Sequence, residues 1–159
     1  MDYLWTPWRY RYIADGPKGG LCVFCEAAAA NEDAKTFIVF RGEKNFVILN
    51  RYPYTSGHVM VVPYAHVADL PAADPGTLAE MMRLAQRIEK ALESTYHPEG
   101  YNLGMNLGRA AGAGILNHLH LHVLPRWSGD ANFMTVAGET RVEPEDLATT
   151  YEKIRHALA

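Results

Sequence analysis

In the segment "NHLHLHVLPRW", residues 117–127, histidine stands at 118, 120 and 122 and apolar Leu119, Leu121 and Val123 fill the alternate places. A period of two fits a β-strand, whose successive side chains turn to opposite faces, and does not fit a helix of 3.6 residues per turn. As a strand, the segment puts three imidazoles on one face and three aliphatic side chains on the other. One face is therefore expected to carry chemistry while the other packs on a core.

The rest of the chain supplies partners for such a strand in an α+β order. "TFIVFR" and "NFVILN" read as two strands joined by the turn "GEK", and "GHVMVVP" reads as a third, closed by Pro63. After Asp74, a candidate N-cap, Pro75 suits the first helical position, and Leu78, Met81, Met82, Ala85, Ile88 and Leu92 recur at helical spacing. "HPEG" ends that long helix. "YNLGMNLG" and "HLHLHVLPR" then form a strand pair joined by "GRAAGAG", and a last helix carries Leu147, Tyr151, Ile154 and Leu158 on one side. The expectation is one domain over residues 1–159, an antiparallel sheet with a long helix and a C-terminal helix packed on it. Residues 1–36 read as an irregular arm, in which "EAAAANEDAK" is a loop or a helical turn.

Composition narrows the partners. The 159 residues are 48% hydrophobic, enough for a packed core, and carry a formal charge of -3. A nucleic-acid or anionic-membrane binder should show a basic excess, so neither is expected, and a polyphosphate would have to be held locally. No apolar run approaches the roughly 20 residues of a membrane helix, and "MDYLWTPWRYRYI" lacks the layout of a signal peptide, so the expected address is the cytoplasm.

Three readings of the histidines stand side by side. They are half-buried core residues, each needing a polar partner; they converge on zinc; or one is a nucleophile. Imidazole, with a reference pKa near 6.5, is mostly neutral and nucleophilic at pH 7. The preceding "GRAAGAG" is either a plain flexible loop or, with Gly108, Gly112 and Gly114, a cradle of backbone N–H groups for anionic oxygens. Arg109 and Arg126 add charge nearby or are surface residues. Cys22 and Cys25 form the only C-x-x-C pair. That pair is a redox couple, a coincidence, or half of a tetrahedral zinc shell that two of the seven histidines would complete; zinc is the preferred reading, since no strand and helix frame a thioredoxin-like motif. The aromatic arm with Trp5, Trp8, Tyr10 and Tyr12 reads as packing or interface rather than a base-stacking platform.

The "HLHLHVLPRW" segment, together with "FVILNRYPYTSGHVMVVPYAH", "NLGMNLGRAAGAG" and "SGDANFM", resembles the histidine triad (HIT) superfamily of nucleotide hydrolases and transferases. "LWTPWRYRYI", "CVFC" and "PRWSGDANF" look most like its bacterial branch containing diadenosine polyphosphate phosphorylases. The resemblance implies a HIT-like fold, a homodimer, and an adenine nucleotide or dinucleoside polyphosphate as ligand. Carried over by position, His120 would attack the α-phosphorus and form a nucleotidyl-histidine, His122 would orient its neighbour, and His58 would lie near the transferred phosphate. Asn50 would hold the ribose hydroxyls, Asn106 the phosphate or leaving group, and Trp127 matches a tryptophan of the phosphorylase-like branch. Members with the cysteine pair use a histidine after the third strand and the first triad histidine, here His66 and His118, so the implied cofactor is a structural Zn²⁺ on Cys22, Cys25, His66 and His118.

The family pattern departs at one place. Where related branches carry Gln-Thr or Gly-Ser, this chain has Ala113, Gly114 and Ile115, so phosphate beside Gly112, Ala113 and Gly114 would be met by backbone N–H groups or by a neighbour, and either hydrolysis or phosphorolysis stays open. Hydrolysis of adenosine phosphoramidates is a sibling reading. A non-catalytic adenylate sensor and a metallohydrolase ligating metal through all three triad histidines are the rivals. The leading reading requires the His120 ring to lie bare and free of metal.

Overall fold

The structure is a computed structural model and describes residues 22–130 and 145–159. The aromatic arm with Trp5, Trp8, Tyr10 and Tyr12 lies outside the described residues, as does the end of "SGDANFM". Strands β1 (Ile38–Arg41), β2 (Asn45–Leu49), β3 (Val59–Pro63), β4 (Gly100–Gly104) and β5 (Leu121–Arg126) form one antiparallel sheet in the order β1-β2-β3-β5-β4. Helices α1 (Val23–Ala30) and α2 (Asp33–Thr36) precede it, α3 (Pro75–Tyr96) connects β3 to β4, and α4 (Leu147–Leu158) follows β5. The α+β class expected above is the one observed.

Local chemistry accounts for the elements. The Asp74 carboxylate accepts the Thr77 N–H at 3.0 Å, Pro75 needs no donor partner at the first turn, and α3 ends where His97 turns left-handed at φ 46°. Its Met81, Leu84, Ala85, Ile88, Ala91 and Leu92 are buried, while Met82 is 52% exposed. Met82 was expected on the apolar side, but it lies about 100° around the helix from Met81, off the 81-85-88-92 stripe. The β1–β2 turn is clamped from α3. Glu80 accepts the N–H groups of Glu43 and Lys44, each at 2.8 Å, and the Asn45 carboxamide at 2.7 Å. Gly42 is required here because a Cβ would stand 2.8 Å from the Asn45 carbonyl oxygen.

The sheet buries both faces. Leu119, Leu121 and Val123 join Val47, Leu49, Val59 and Val61 against α3 and α4, where Tyr151, Ile154 and Leu158 are buried. Phe24 and Ala27 of α1 cover the opposite face with Ile38, Phe46, Ile48, Met60 and Val62. Among the described residues, no helix is long and apolar enough to cross a membrane.

Three expectations are corrected. Residues 23–30 and 33–36 of the supposedly irregular arm are helical, in keeping with the high helix propensity of "EAAAA". The strand after the long helix stops at Gly104 rather than running through "MNLG". Strand β5 begins at Leu121, not at His118. Pro63, at the end of β3, has no N–H to continue the ladder, and its carbonyl accepts a bond from the His118 ring at 2.8 Å. The Leu119 N–H turns instead to the Val67 carbonyl at 2.7 Å. The alternation of faces survives the loss of ladder bonds, with His118, His120 and His122 all buried beneath the α1 side.

Candidate functional site

The three triad histidines diverge into two clusters. His118 donates Nε2–H to the Pro63 carbonyl, so its lone pair lies on Nδ1. That nitrogen is 3.2 Å from Cys22 Sγ and 3.6 Å from Cys25 Sγ, and His66 Nδ1 is 3.4 Å from Cys25 Sγ. The four donor atoms lie within 4.8 Å of one another. A tetrahedral ion with bonds of 2.0–2.3 Å has ligand-to-ligand edges of about 3.6 Å. The donor set and its spacing fit such an ion, and the Pro63 carbonyl supplies the outer bond that fixes the ligating tautomer. The N-terminus of α1 brings the two cysteines, the loop after β3 brings His66, and the residue before the β5 ladder brings His118.

His120 inverts that arrangement. Its Nδ1–H is held by the His118 carbonyl at 2.9 Å, which leaves the lone pair on Nε2. Nε2 has no hydrogen-bond partner among the described residues and is not one of their buried unpartnered atoms. Burial lowers the pKa of this imidazole more than its backbone bond raises it, so the ring is neutral at pH 7. The expectation of a bare ring is corrected: the ring is covered by its neighbours, and the nucleophile reading is left with the Nε2 atom, which no described residue binds. The ring is only 6% exposed, lying beneath Phe24 on one side and against His122 on the other.

A chain of fixed tautomers reaches His122. The Tyr54 backbone N–H, which can only donate, points at His58 Nδ1 from 3.1 Å, with the Asn50 carboxamide nitrogen 3.3 Å from the same atom. His58 therefore donates Nε2–H to His122 Nδ1 at 2.9 Å. His122 in its neutral form then carries its proton on Nε2. The bond that orients His120 comes from the His118 carbonyl, whereas His122 meets it through a ring contact at 4.8 Å.

The remaining predicted residues are distributed unevenly. Asn50 is half-buried beside His58, and its Oδ1 also accepts the Tyr52 N–H at 3.0 Å. Asn106 is half-buried two residues past the end of β4, whose last residue, Gly104, pairs with His122. Gly112 and Ala113 spend their N–H groups on Arg109 and Gly108 carbonyls, closing a 3₁₀ turn over Arg109–Ala111. Of the three glycine-loop positions, only Gly114 keeps its N–H out of those bonds. Trp127 is not brought to the histidines within one chain, standing seven residues beyond His120, about 23 Å of strand. Arg126 is tied to Asp130 and Asn102 rather than free for phosphate. Phe24 and Tyr54 were missed; their only signals were position, between the two cysteines and within "NRYPYTSGH".

An imidazole with an unpartnered Nε2 beside a second imidazole oriented by His58 is an arrangement that can attack an electrophile. Comparison with known proteins gives the family. The HIT domain family model matches residues 31–129, and the chain belongs to the HIT family. It is 39% identical over 158 residues to AP-4-A phosphorylase of Mycobacterium tuberculosis, covering 94% of this chain and 80% of the relative. A Zn-bound histidine triad family protein from Mycobacterium smegmatis shares the fold with a TM-score of 0.71 and 35% identity, over 86% of this chain and 92% of that one. A hypothetical histidine triad nucleotide-binding protein from Sulfolobus tokodaii has a TM-score of 0.70 and 29% identity, over 86% of this chain and 91% of that one.

Proposed function

We propose that this HIT-family enzyme, a nucleotidyl hydrolase or transferase, cleaves diadenosine polyphosphates through His120. The observation that carries the proposal is the bond from His120 Nδ1–H to the His118 carbonyl, which leaves an unprotonated, unligated Nε2 on a neutral ring. The similarity to AP-4-A phosphorylase supports the substrate class. Nε2 attacks the α-phosphorus, the bond from that phosphorus to the bridging oxygen breaks, and a nucleotidyl-histidine forms. With diadenosine tetraphosphate the departing group is ATP. Phosphate then takes up the nucleotidyl group as ADP, or water takes it up as AMP.

His122, held as an Nε2–H donor by His58, suits a phosphoryl oxygen or the leaving oxygen. Stabilising such a centre is chiefly positioning and charge compensation by fixed donors. Asn50 near the ribose, and Asn106 with the Gly112, Ala113 and Gly114 turn near the phosphates, complete the proposed binding surface, with Gly114 as its backbone donor because the Gly112 and Ala113 N–H groups close the 3₁₀ turn, and with Trp127 assigned to it by family position alone. In the same reading Cys22, Cys25, His66 and His118 hold a structural Zn²⁺, whose chemistry is to cross-link the α1 end to the triad segment. With all four positions filled by protein, such an ion keeps no open coordination place for substrate. This favours nucleophilic catalysis over a metallohydrolase, because His120 and His122 stand outside the cluster.

The reading takes the chain as one HIT domain in the cytoplasm, acting as a homodimer. Support for the dimer comes from β4, an edge strand with Leu103 40% exposed. Incubation with diadenosine tetraphosphate, with and without inorganic phosphate, tests the reaction. ADP formed only with phosphate identifies phosphorolysis, AMP with ATP identifies hydrolysis, and no product from any adenylated compound refutes the enzyme reading in favour of a sensor.

A further inference from the structure

Phe24 sits between the two cysteines yet does none of their chemistry. Its ring, 3% exposed, stands 5.4 Å from the His118 ring at 80° and 5.2 Å from the His120 ring at 56°. On its other side His120 meets His122 at 4.8 Å and 75°. A histidine χ2 has a broad, two-fold profile, so a single bond to the His118 carbonyl leaves a ring turn that would put Cδ2 in the place of Nδ1 and Cε1 in the place of Nε2, breaking that bond and misdirecting the lone pair. Flanking rings on both sides obstruct that turn. One of them, Phe24, is carried by the Cys22–Cys25 turn, and the carbonyl that holds His120 belongs to His118, whose side chain faces the same two sulfurs.

We propose that Phe24 is a positioning residue for His120, and that the Cys22, Cys25, His66 and His118 cluster, when it holds its metal, sets the orientation of the nucleophile through Phe24 and the His118 carbonyl. The proposal rests on His120 being the nucleophile. The cluster thus joins two supports of one ring: sulfur ligation fixes the turn that carries Phe24, and imidazole ligation fixes the residue whose carbonyl accepts the His120 proton. Neither support touches substrate. Loss of either should disorder the ring without removing any binding contact, so kcat should fall while KM changes little.

Phe24→Leu and Phe24→Met test it, since both keep an apolar side chain in the α1 core while removing the flat face. Zinc content, kcat, KM and the nitrogen resonances of the histidines in ¹⁵N-labelled protein are read on the folded variants. With zinc stoichiometry unchanged, kcat is expected to fall roughly tenfold or more and KM to stay within about twofold. The His120 nitrogens should change from one protonated and one bare signal to an averaged or broadened pair, and chelating zinc from the wild type should produce the same change. A folded, zinc-loaded variant with wild-type kcat and wild-type His120 signals overturns the role of Phe24. Unaltered His120 signals in chelated, folded wild type overturn the metal link. If the wild type turns over no adenylated compound, the nucleotide reading fails on its own, and the nitrogen signals still decide what holds the ring.

Discussion

His118 and His120 are two residues apart on one face, both are buried, and burial lowers the pKa of each, yet they expose opposite nitrogens. His118 gives Nε2–H to the Pro63 carbonyl and turns Nδ1 to the sulfurs; His120 gives Nδ1–H to the His118 carbonyl and keeps Nε2 free. The difference is made by where β3 stops. Because Pro63 ends the ladder, its carbonyl is open to a side chain, and because β5 has not begun, the His118 carbonyl is open to another. Two unspent backbone acceptors sort two chemically identical side chains into one that turns Nδ1 to the sulfurs and one that keeps Nε2 unpartnered. Burial alone cannot make that distinction, since it acts on both rings in the same direction.

The comparison is broken most severely at position 120. His120→Ala should lower turnover by roughly 10⁴-fold or more, as expected when a covalent nucleophile is removed. Zinc stoichiometry, measured by elemental analysis, should stay at its wild-type value; loss of metal in this variant would show that the two rings are not separately employed. On the other side, Cys22→Ala should weaken zinc by on the order of 10²-fold or more, about one ligand's share of the ~10–16 kcal/mol such sites supply. Competition with a chromophoric chelator reads that change, and retention of wild-type affinity would return the metal to the triad histidines. His58→Ala removes the donor that fixes His122, and turnover should fall on the order of 10²-fold at unchanged zinc content. His58→Gln, which keeps an N–H donor on a shorter side chain, should lose less.

How much of this was legible in the sequence follows the range of the interactions. Helix α3 was readable because its cap, its first proline and its stripe are all local, and only Met82 was misplaced, by one residue around the helix. The two faces of the triad segment were readable for the same reason. What no local pattern encodes is a partner far along the chain. Phe24 meets rings about a hundred residues away, and nothing in "CVFC" announces it. His66 is an exposed histidine whose place in the cluster is visible only from its neighbours Cys25 and His118. The choice of ring nitrogen was equally hidden, since it depends on the carbonyls of Pro63 and His118, and carbonyls are common to every residue.

The smallest effect expected is a control that touches neither ring. Glu80 lies on α3 and clamps the β1–β2 turn, on the far side of the chemistry. Desolvation by burial is the largest influence on its carboxyl and would raise the pKa, but the hydrogen bonds from Asn45 and from the Glu43 and Lys44 N–H groups outweigh it and hold the pKa below the usual glutamate value. A carboxyl depressed in the folded state stabilises the fold above its unfolded pKa, near 4.3, and that contribution disappears as pH falls through the lower folded value. Glu80→Gln should therefore cost about 1–2 kcal/mol at pH 7, where the charged acceptor is replaced by a neutral one. The gap between variant and wild type should narrow in urea melts carried below pH 4, because the wild type is then losing the same charge. Per folded molecule, kcat and zinc content should not move. A variant whose deficit is constant from pH 7 to pH 3 would mean that the clamp works through shape rather than charge, and a change in either His120 turnover or metal content would mean that the two faces of the sheet are coupled through β2.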